Sequence, residues 1–393
     1  MSRTFDAIIV GAGIVGAACA RECAERGLKT ALVDAGVIGG GATAAGMGHI
    51  VAMDDSPAQL ALTGYSQRLW RELAPRLPED VEFDQCGTLW VADDDEEMDE
   101  VRRKYGVYAA AGIPTEILSA SQLAQLEPHL RPMAGALLVP SDCVLYPPCA
   151  AVDFVREAVQ QGATLFAPQR VVSAGAGRVR LEDGSELRAP RIVNAGGAEA
   201  VRLIPDLPIR KRKGHLVITD RYPGYVRHQL VELGYLKSAH SITTDSVAFN
   251  VQPRRTGQLL IGSSREYGAE SHEVNHTLLA AMVARAQMFM PQIGDLQAIR
   301  VWTGFRAATP DKLPLIGPWP GDETLFLATG HEGLGITTSL ATAKVLASTM
   351  LGVVTAIDPT PYLPSRYTHT GAPAEPRAFE TSVEMPAAEK SHV

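Results

Sequence analysis

A glycine-rich turn near the N-terminus carries the strongest chemical signal in the sequence. Gly11, Gly13 and Gly16 form the pattern Gly-x-Gly-x-x-Gly, and Asp34 follows later in the chain. Gly11 permits a tight turn, Gly13 lets the backbone approach a pyrophosphate, and Gly16 lets the next helix lie close to its strand. A helix N-terminus offers free N–H groups and its positive dipole end to phosphates. An aspartate at this spacing accepts hydrogen bonds from a ribose 2′-hydroxyl, so we predict a dinucleotide site that disfavours a 2′-phosphate.

The elements that must position this turn surround it. Residues 5–10 form a short apolar run rich in β-branched side chains, residues 14–26 have a helical pattern, and residues 29–33 form a second short run. Strand, glycine turn, helix, strand and acid within about thirty residues make a dinucleotide-binding βαβ unit. An accidental glycine turn, the alternative, would not need this context.

Composition sets limits on the class of protein. The chain has 393 residues, 46% of them hydrophobic, and a net charge of −8. This length allows two domains, and the negative charge argues against nucleic-acid binding. No apolar run reaches the roughly 18–20 residues that cross a bilayer. The chain opens directly into a strand, which leaves no room for a signal peptide, so we expect a cytoplasmic protein.

The cysteines indicate packing rather than metal binding. Five are present, and none forms a Cys-x-x-Cys pair. The sequence therefore predicts neither a zinc site nor an iron–sulfur site in this chain.

A second glycine-rich segment, residues 39–49, follows the acid. Because side chains are nearly absent there, we expect a loop that runs along the cofactor, with a merely flexible loop as the alternative. Ser56 followed by Pro57 predicts a helix start. Helices are predicted over residues 56–73, 93–111, 149–161, 275–290 and 335–351.

The pattern of predicted elements changes after residue 209. Strand-like runs alternate with turns over residues 210–299, which predicts a largely antiparallel second domain, and residues 300–330 return to short strands. Residues 366–393 are rich in Pro, Ala and Glu, typical of a disordered or partner-bound tail.

Several motifs together indicate a family. They are the N-terminal fingerprint with Asp34, the loop at 39–48, and residues 193–197, 304–317 and 330–335. In these motifs, over about residues 5–365, the chain resembles the FAD-dependent D-amino-acid oxidase family, in its glycine oxidase and sarcosine oxidase branch.

A narrower resemblance lies in the second domain. Residues 213–224 and 227–240 look most like the β-type catalytic subunits of D-hydroxyproline dehydrogenase and opine oxidase, a group that includes hydrogen cyanide synthase. Such a subunit implies partner subunits carrying a [2Fe-2S] cluster and a second flavin. The basic run at 210–213 is then either a solvated linker or a phosphate site for FMN at a subunit interface.

The resemblance implies an α/β fold with two domains. One is a Rossmann-like FAD-binding domain of the glutathione-reductase type, assigned to residues 1–85, 149–209 and 300–365. The other is a largely antiparallel α+β substrate or partner domain, assigned to residues 86–148 and 210–299.

The same resemblance implies a set of flavin-binding residues. FAD is expected to be non-covalent, because no cysteine follows residue 149. Val172 is expected to contact the adenine side through its backbone, and the N-terminus of the closing helix is expected to stabilise charge on the reduced flavin. The expected contacts are Gly11, Gly13, Ile14, Val15, Gly16, Asp34, Ala35, Gly41, Ala42, Thr43, Gly46, Met47, Gly48, Val172, Ala195, Gly196, Gly304, Arg306, Gly333, Leu334, Gly335, Ile336 and Thr337.

Candidate catalytic residues also come from the resemblance. Arg306 matches the family's carboxylate-binding arginine, and its planar fork suits a carboxylate; a structural salt bridge is the alternative. His49 and His331 are expected to line the flavin, and His215 and Tyr235 to contribute from the second domain. A structural histidine is the alternative for each.

These features predict oxidation of a D-amino or secondary amino acid to its imine, with cis-4-hydroxy-D-proline as the candidate substrate. Hydride would pass from Cα to flavin N5, and electrons would leave through partner subunits. The alternatives are a self-contained oxidase that makes H₂O₂, a 2-hydroxy-acid dehydrogenase, and a flavin-binding scaffold subunit without activity.

Overall fold

The helices follow the predicted caps closely. The computed structural model describes residues 3–233 and 245–367. Ser56 Oγ accepts a hydrogen bond from Gln59 N at 3.1 Å, and Asn275 Oδ1 accepts one from Leu278 N at 3.1 Å, so both predicted helix starts are confirmed. The α-helices of the described residues are α1 (Ile14–Glu25), α2 (Gly41–Ala45), α3 (Pro57–Leu73), α4 (Asp95–Ala110), α5 (Ala120–Leu126), α6 (Pro147–Gln160), α7 (His276–Phe289) and α8 (Gly335–Leu351).

A six-stranded sheet builds the first domain. Its strands are β2 (Ala7–Val10), β3 (Thr30–Val33), β9 (Thr164–Phe166), β13 (Ile192–Asn194), β19 (Leu315–Trp319) and β20 (Asp322–Thr329). They run in the order β19-β20-β13-β2-β3-β9, with only β19 antiparallel to its neighbour. Neighbouring residues of β2, Ile8 and Ile9, belong to apolar clusters on opposite faces. Burial on both faces explains the continuous apolar runs of these strands.

Two small sheets complete the first domain. A meander consists of β1 (Arg3–Thr4), β10 (Val171–Gly175), β11 (Arg178–Leu181) and β12 (Glu186–Arg188). A short pair, β4 (His49–Ile50) and β8 (Cys143–Val144), joins the glycine-rich segment to the chain before α6.

An eight-stranded sheet builds the second domain. Its strands are β5 (Thr88–Ala92), β6 (Glu116–Ser119), β7 (Gly135–Val139), β14 (Arg210–Arg221), β15 (Gln229–Glu232), β16 (Ser246–Pro253), β17 (Gln258–Tyr267) and β18 (Ala298–Ala308). The order is β18-β14-β17-β16-β15-β5-β7-β6, and only β5 and β15 pair in parallel. One face packs against α7 through Phe249, Met282 and Phe289. The fold is therefore α/β, with a parallel cofactor sheet and a largely antiparallel second sheet.

Three predictions need adjustment. Strand β18 pairs along its length with β14, so residues 300–308 belong to the larger sheet rather than to the FAD-binding part, and they form one long strand rather than short ones. The run at 210–213 is the start of β14, not a linker between domains. Of the predicted tail, the described residues include Arg366, which forms an ion pair with Asp311, and Tyr367; the rest lies outside them.

Candidate active site

A cavity of about 650 Å³ lies where the two large sheets face each other. Its walls include the first glycine turn, the glycine-rich segment after Asp34, the turn after β13, and residues of β5, β14, β15, β16, β17 and β18. Both domains therefore contribute to a single site.

The first glycine turn is built for a close backbone approach. Gly11 has φ 105°, and a Cβ there would lie 2.7 Å from the carbonyl oxygen of Ala195. A Cβ at Gly16 would lie 1.9 Å from the oxygen of Gly11, so α1 can start this close to the strand only because position 16 has no side chain.

Asp34 is positioned at the end of β3 beside this turn. Its Oδ2 accepts a hydrogen bond from Ala12 N at 2.6 Å, and its Oδ1 accepts one from Gly36 N at 2.7 Å. Each carboxylate oxygen has further lone-pair capacity for a ribose hydroxyl. The geometry of the turn and the acid thus fits the adenosine and pyrophosphate half of FAD.

The glycine-rich segment packs closely against its neighbours. Thr43 Oγ1 accepts a hydrogen bond from Ile14 N at 3.0 Å, which ties α2 to the start of α1. A Cβ at Gly46 would lie 2.7 Å from Ile336 Cδ1, and one at Gly48 would lie 1.9 Å from Leu145 O. Side chains at these positions would push the loop away from the cavity wall.

The start of α8 reaches the same place. Its N-cap, Leu334, provides no side-chain hydrogen bond, so no capping side chain takes up the N–H groups of the first turn. A Cβ built on Gly335 would lie 3.6 Å from Val15 Cγ2 of α1. Two helix N-termini therefore converge on the cavity, as a bound group with phosphate and electron-rich ring atoms requires.

Most predicted flavin contacts border this cavity. Predicted residues in its wall are Gly11, Gly13, Ile14, Val15, Asp34, Ala35, Gly41, Ala42, Thr43, Gly46, Met47, Gly48, His49, Ala195, Gly196, Gly304, Arg306, His331, Gly333, Leu334, Gly335 and Ile336.

Three predicted contacts lie elsewhere. Gly16 serves helix packing. The side chain of Val172 is 48% exposed and lies outside the cavity wall, whereas its neighbour Val171 lines the cavity. The expected contact with the adenine side is through the backbone of Val172, so it stays a prediction. Thr337 is buried, and its hydroxyl donates to His49 O at 2.8 Å, so it supports the wall from behind.

His215 does not reach the cavity either. Its ring is buried, Asn275 N donates to Nε2 at 3.0 Å, and Nδ1 lies 2.9 Å from Ser264 Oγ. Burial lowers the pKa of His215, and the ring joins β14 and β17 to the start of α7. It is therefore structural. Tyr235 lies outside the described residues.

Arg306 lies on the edge strand β18 and extends over its neighbours in the larger sheet. Its Nη1 donates to Ser264 O at 3.0 Å, and a Cβ on Gly214 would lie 2.5 Å from the same nitrogen. The guanidinium thus crosses from β18 over β14 to β17. Arg265, the residue after Ser264, and Arg212 of β14 also line the cavity, so three guanidinium side chains of the larger sheet share this wall.

Glu332 and Arg212 form an ion pair in the cavity wall. Glu332 has φ 53°, and both side chains are largely buried. Burial raises the pKa of Glu332, and the guanidinium of Arg212 opposes that rise. The positive charge of Arg306 also opposes the rise in the pKa of Glu332, so the carboxylate lies within the electrostatic reach of both guanidinium groups.

His49 and His331 are neutral near pH 7. Burial lowers the pKa of His49 to about 4, with the side chain of Gln252 opposing the shift and Arg306 adding to it. Burial lowers the pKa of His331 to about 3, and its Nε2 lies 3.0 Å from Thr342 Oγ1. The site therefore offers neutral imidazoles, not cations.

Three of the four cations in the basic run at 210–213 form ion pairs within the chain, and Arg210 is exposed. Lys211 Nζ lies 3.0 Å from Glu199 Oε1, Lys213 Nζ lies 2.9 Å from Glu266 Oε2, and Arg212 pairs with Glu332. These three cations are balanced by carboxylates.

Some wall residues were not found by sequence reasoning. Gly214, Arg265, Asn250 and Trp90 come from four different strands of the larger sheet. Gly214 stands in the stretch 213–224 that carries the narrower resemblance, but none of the four was given a role, because their proximity depends on strand pairing between distant parts of the chain. None of the helices in the described ranges is both long and apolar enough to cross a membrane.

Comparison with known proteins agrees with this geometry. Residues 6–349 match the family described as FAD dependent oxidoreductase. The chain is 29% identical to glycine oxidase from Geobacillus kaustophilus, covering 93% of this chain and 98% of that one. It is 28% identical to hydrogen cyanide synthase subunit HcnC from Pseudomonas aeruginosa, covering 93% and 97%. The motif-based resemblance to the glycine oxidase branch is thereby confirmed.

Solved structures give the same result. The crystal structure of the Geobacillus kaustophilus glycine oxidase matches with a TM-score of 0.83 and 27% identity, covering 93% of this chain and all of that one. L-proline dehydrogenase from P. horikoshii matches in fold, with a TM-score of 0.84 and 23% identity over 94% of this chain and 99% of that one. With the glycine turn, Asp34 and the two converging helix starts, these matches show that the chain belongs to the FAD-dependent oxidoreductase family and is an FAD-dependent enzyme.

Proposed function

We propose that the protein oxidises a small D-amino or secondary amino acid at Cα, with cis-4-hydroxy-D-proline as the candidate substrate. The observation that carries this proposal is the position of Arg306. Its guanidinium lies on the sheet face, beside the loop at 41–48 and the start of α8 that border the flavin site. A carboxylate held there by two parallel hydrogen bonds would place its own Cα against the flavin.

Bound FAD supplies an acceptor for two electrons at its N5 atom. The residues of this chain orient and select. Arg306 fixes the carboxylate and so restricts the orientations of the bound substrate. The Cα hydrogen then faces the cofactor. Hydride leaves Cα while the amine lone pair forms the C=N bond; loss of the remaining amine proton gives the imine. This chemistry requires an unprotonated amine but no strong base.

The histidines fit that requirement. A neutral imidazole does not repel an amine that has lost its proton, and it can accept or donate one hydrogen bond. Oxidation of a 2-hydroxy acid, in contrast, would need His49 or His331 to remove a hydroxyl proton. Burial makes each of them a weak base, which favours the amino-acid substrate.

We further propose that the chain works as the catalytic subunit of a multi-subunit dehydrogenase. The similarity to HcnC, whose name marks it as a subunit, supports this. Electrons would then leave through partners with a [2Fe-2S] cluster and a second flavin. If that flavin is FMN at an interface, its phosphate must be held mainly by the partners, because Lys211, Arg212 and Lys213 already have carboxylate neighbours.

The second candidate function is a self-contained oxidase, and the similarity to glycine oxidases favours it. The two differ in how the reduced flavin is reoxidised. Rapid H₂O₂ formation in air by the purified chain would indicate the oxidase. Slow reoxidation by O₂ but fast reoxidation by an artificial acceptor would indicate the dehydrogenase.

An anaerobic panel of amino acids tests the reaction itself. FAD-loaded protein is mixed with glycine, sarcosine, and the D and L forms of alanine, proline and 4-hydroxyproline, and flavin absorbance is followed. We expect bleaching by the D-cyclic or secondary amines. If no amino acid bleaches the flavin, the proposal is wrong, and a panel of 2-hydroxy acids then separates a hydroxy-acid dehydrogenase from a flavin-binding scaffold.

A further inference from the structure

Two arginines lie side by side on the cavity face of the larger sheet. The register of β14 and β18 places Arg212 directly opposite Arg306, and both residues line the cavity. Residues in opposite positions on one face have Cβ atoms about 4.5–5.5 Å apart, and like charges there repel each other. A ligand carboxylate that enters this part of the cavity therefore meets two neighbouring guanidinium groups rather than one.

Glu332 forms an ion pair with one of these two arginines. Its carboxylate pairs with the guanidinium of Arg212, both side chains are largely buried, and Glu332 lines the cavity as well. Burial raises the pKa of Glu332, and four cations oppose this rise: Arg212, Arg306, Arg265 and Lys312. The largest of the four effects comes from Arg212, so the negative charge of Glu332 acts mainly on the arginine with which it pairs.

The backbone of Glu332 is fixed against the strand that carries Arg306. Glu332 N donates to Ala307 O at 2.9 Å, and a Cβ built on Gly333 would lie 3.5 Å from Arg306 Nε. Glu332 also has φ 53°, a left-handed conformation that is uncommon for residues other than glycine. Such conformations persist where the surrounding structure imposes them, and they cluster at functional sites. The turn before α8 thus contacts both arginines, Arg212 through a carboxylate and Arg306 through its backbone.

The two guanidinium groups extend in opposite directions across the sheet. Arg306 extends from β18 over β14 and donates to Ser264 O of β17 at 3.0 Å. Arg212 extends from β14 towards Glu332, whose backbone is paired with β18. A carboxylate held by Arg212 would therefore lie elsewhere than one held by Arg306. Since a misplacement of about 1 Å can lower a rate about 100-fold, only one of the two positions is productive.

We propose that Glu332 is a positioning residue, which holds Arg212 away from the substrate so that Arg306 receives the substrate carboxylate. This inference rests on the proposed amino-acid oxidation, in which Arg306 is the anchor. Without the negative charge of Glu332, the two arginines would compete for the same carboxylate. Affinity would be kept or increased, because the site gains a positive charge, but a fraction of the bound substrate would no longer present its Cα hydrogen to the flavin. The loss would appear in the rate of flavin reduction rather than in binding.

Two measurements on the FAD-loaded full chain test this role. Anaerobic rapid mixing with the amino acid that bleaches the wild-type flavin fastest gives the limiting rate of reduction. Calorimetric titration with pyrrole-2-carboxylate, which has no Cα hydrogen to lose, gives a Kd without turnover. We expect Glu332→Gln to lower the limiting rate by about tenfold to a hundredfold, with an unchanged or smaller Kd. Arg212→Gln should instead raise Kd about tenfold or more, because Glu332 then acts on Arg306 and competes with the ligand carboxylate.

The double variant Arg212→Gln/Glu332→Gln separates positioning from a purely structural role. It removes the competing cation together with its partner, so neither charge is left buried alone. We expect its limiting rate and Kd to return to within about threefold of the wild-type values, so that the effects of the single variants are strongly non-additive. If Glu332→Gln fails to fold, the comparison of Arg212→Gln with the double variant decides, because removal of the carboxylate should then restore the affinity.

Glu323→Gln is the matched control, because Glu323 is exposed on β20 and lies outside the cavity wall. This variant should keep the wild-type rate and Kd. A wild-type rate in Glu332→Gln, a raised Kd in that variant, or losses that simply add in the double variant would overturn the role of Glu332 but not the proposed reaction. If no amino acid reduces the wild-type flavin, the proposed reaction itself is wrong, and the role of Glu332 is wrong with it.

Discussion

The guanidinium of Arg306 lies directly over the backbone of Gly214, where a Cβ would stand only 2.5 Å from Nη1. Position 214 must therefore lack a side chain for the arginine to cross from its own strand to β17. A methyl group on residue 214 would clash with the Arg306 guanidinium, which is hydrogen-bonded to Ser264 O, so the guanidinium would have to move. The substrate carboxylate would then lose its anchor without any loss of charge.

We expect Gly214→Ala to raise KM by about tenfold to a hundredfold, since misplaced charged hydrogen bonds cost about 1.5–3 kcal/mol. FAD content should remain at the wild-type level. Gly106→Ala is the control, because a Cβ at Gly106 in α4 meets no atom within 4 Å. Steady-state kinetics together with flavin-to-protein ratios measure both effects. A wild-type KM in Gly214→Ala would show that Arg306 does not bind substrate in this position.

Removal of the guanidinium itself should be more severe. We expect Arg306→Ala to raise KM by two orders of magnitude or more, and Arg306→Lys to recover part of the loss, because a single ammonium cannot form two parallel bonds. Arg300→Ala serves as control, since Arg300 is exposed on the same strand. Substrate titration of flavin reduction is the measurement. Equal KM values for the two Arg306 variants would contradict bidentate binding.

His331 should make the folded protein sensitive to acid. Burial lowers its pKa to about 3, so the unfolded chain takes up a proton near pH 6.5 while the folded chain does not. Its contribution to stability is complete above pH 6.5 and is lost progressively as pH falls towards 3. The slope is up to about 1.4 kcal/mol per pH unit.

Thermal unfolding of the FAD-loaded protein between pH 7.5 and 4.5 measures this slope. We expect His331→Gln to lose less stability than wild type over that range. His276→Gln is the control, because His276 is exposed at the start of α7. Parallel curves for wild type and His331→Gln would assign the acid sensitivity to other groups.

Denaturation of the protein should release the flavin, because the FAD is expected to be non-covalent. The five cysteines lie at positions 19, 23, 86, 143 and 149, and none of them lines the cavity. We expect acid precipitation to leave a colourless pellet, FAD in the supernatant, and a polypeptide mass without added flavin. A yellow pellet would require a covalent link through another residue, for which a cavity histidine would be the first to examine.

The cofactor half of the fold was accessible from the sequence because its signals are local. The glycine turn, Asp34 and the cap at Ser56 each act within a few residues of themselves, so spacing along the chain predicts them. Burial of the parallel strands on both faces adds continuous apolar runs.

The substrate face was not accessible in the same way. Gly214, Arg265 and Asn250 line one cavity wall only through the pairing order of eight strands, and that order is not encoded in any short segment. His215 was expected to contribute to the site, but it lies outside the cavity wall. It stands next to Gly214, yet strand alternation turns its ring into the domain interior, where Asn275 holds it.

The cofactor loop is physically attached to the substrate sheet, because Gln252 Nε2 donates to Met47 O at 2.6 Å. Gln252 and Asn250 occupy the same strand, two positions apart. A ligand that contacts Asn250 should therefore shift Gln252 and, through it, the loop that borders the flavin site. Binding of a molecule that cannot be oxidised should therefore also change the visible absorption spectrum of the bound flavin. A simple visible-light titration would then report affinities for inert analogues.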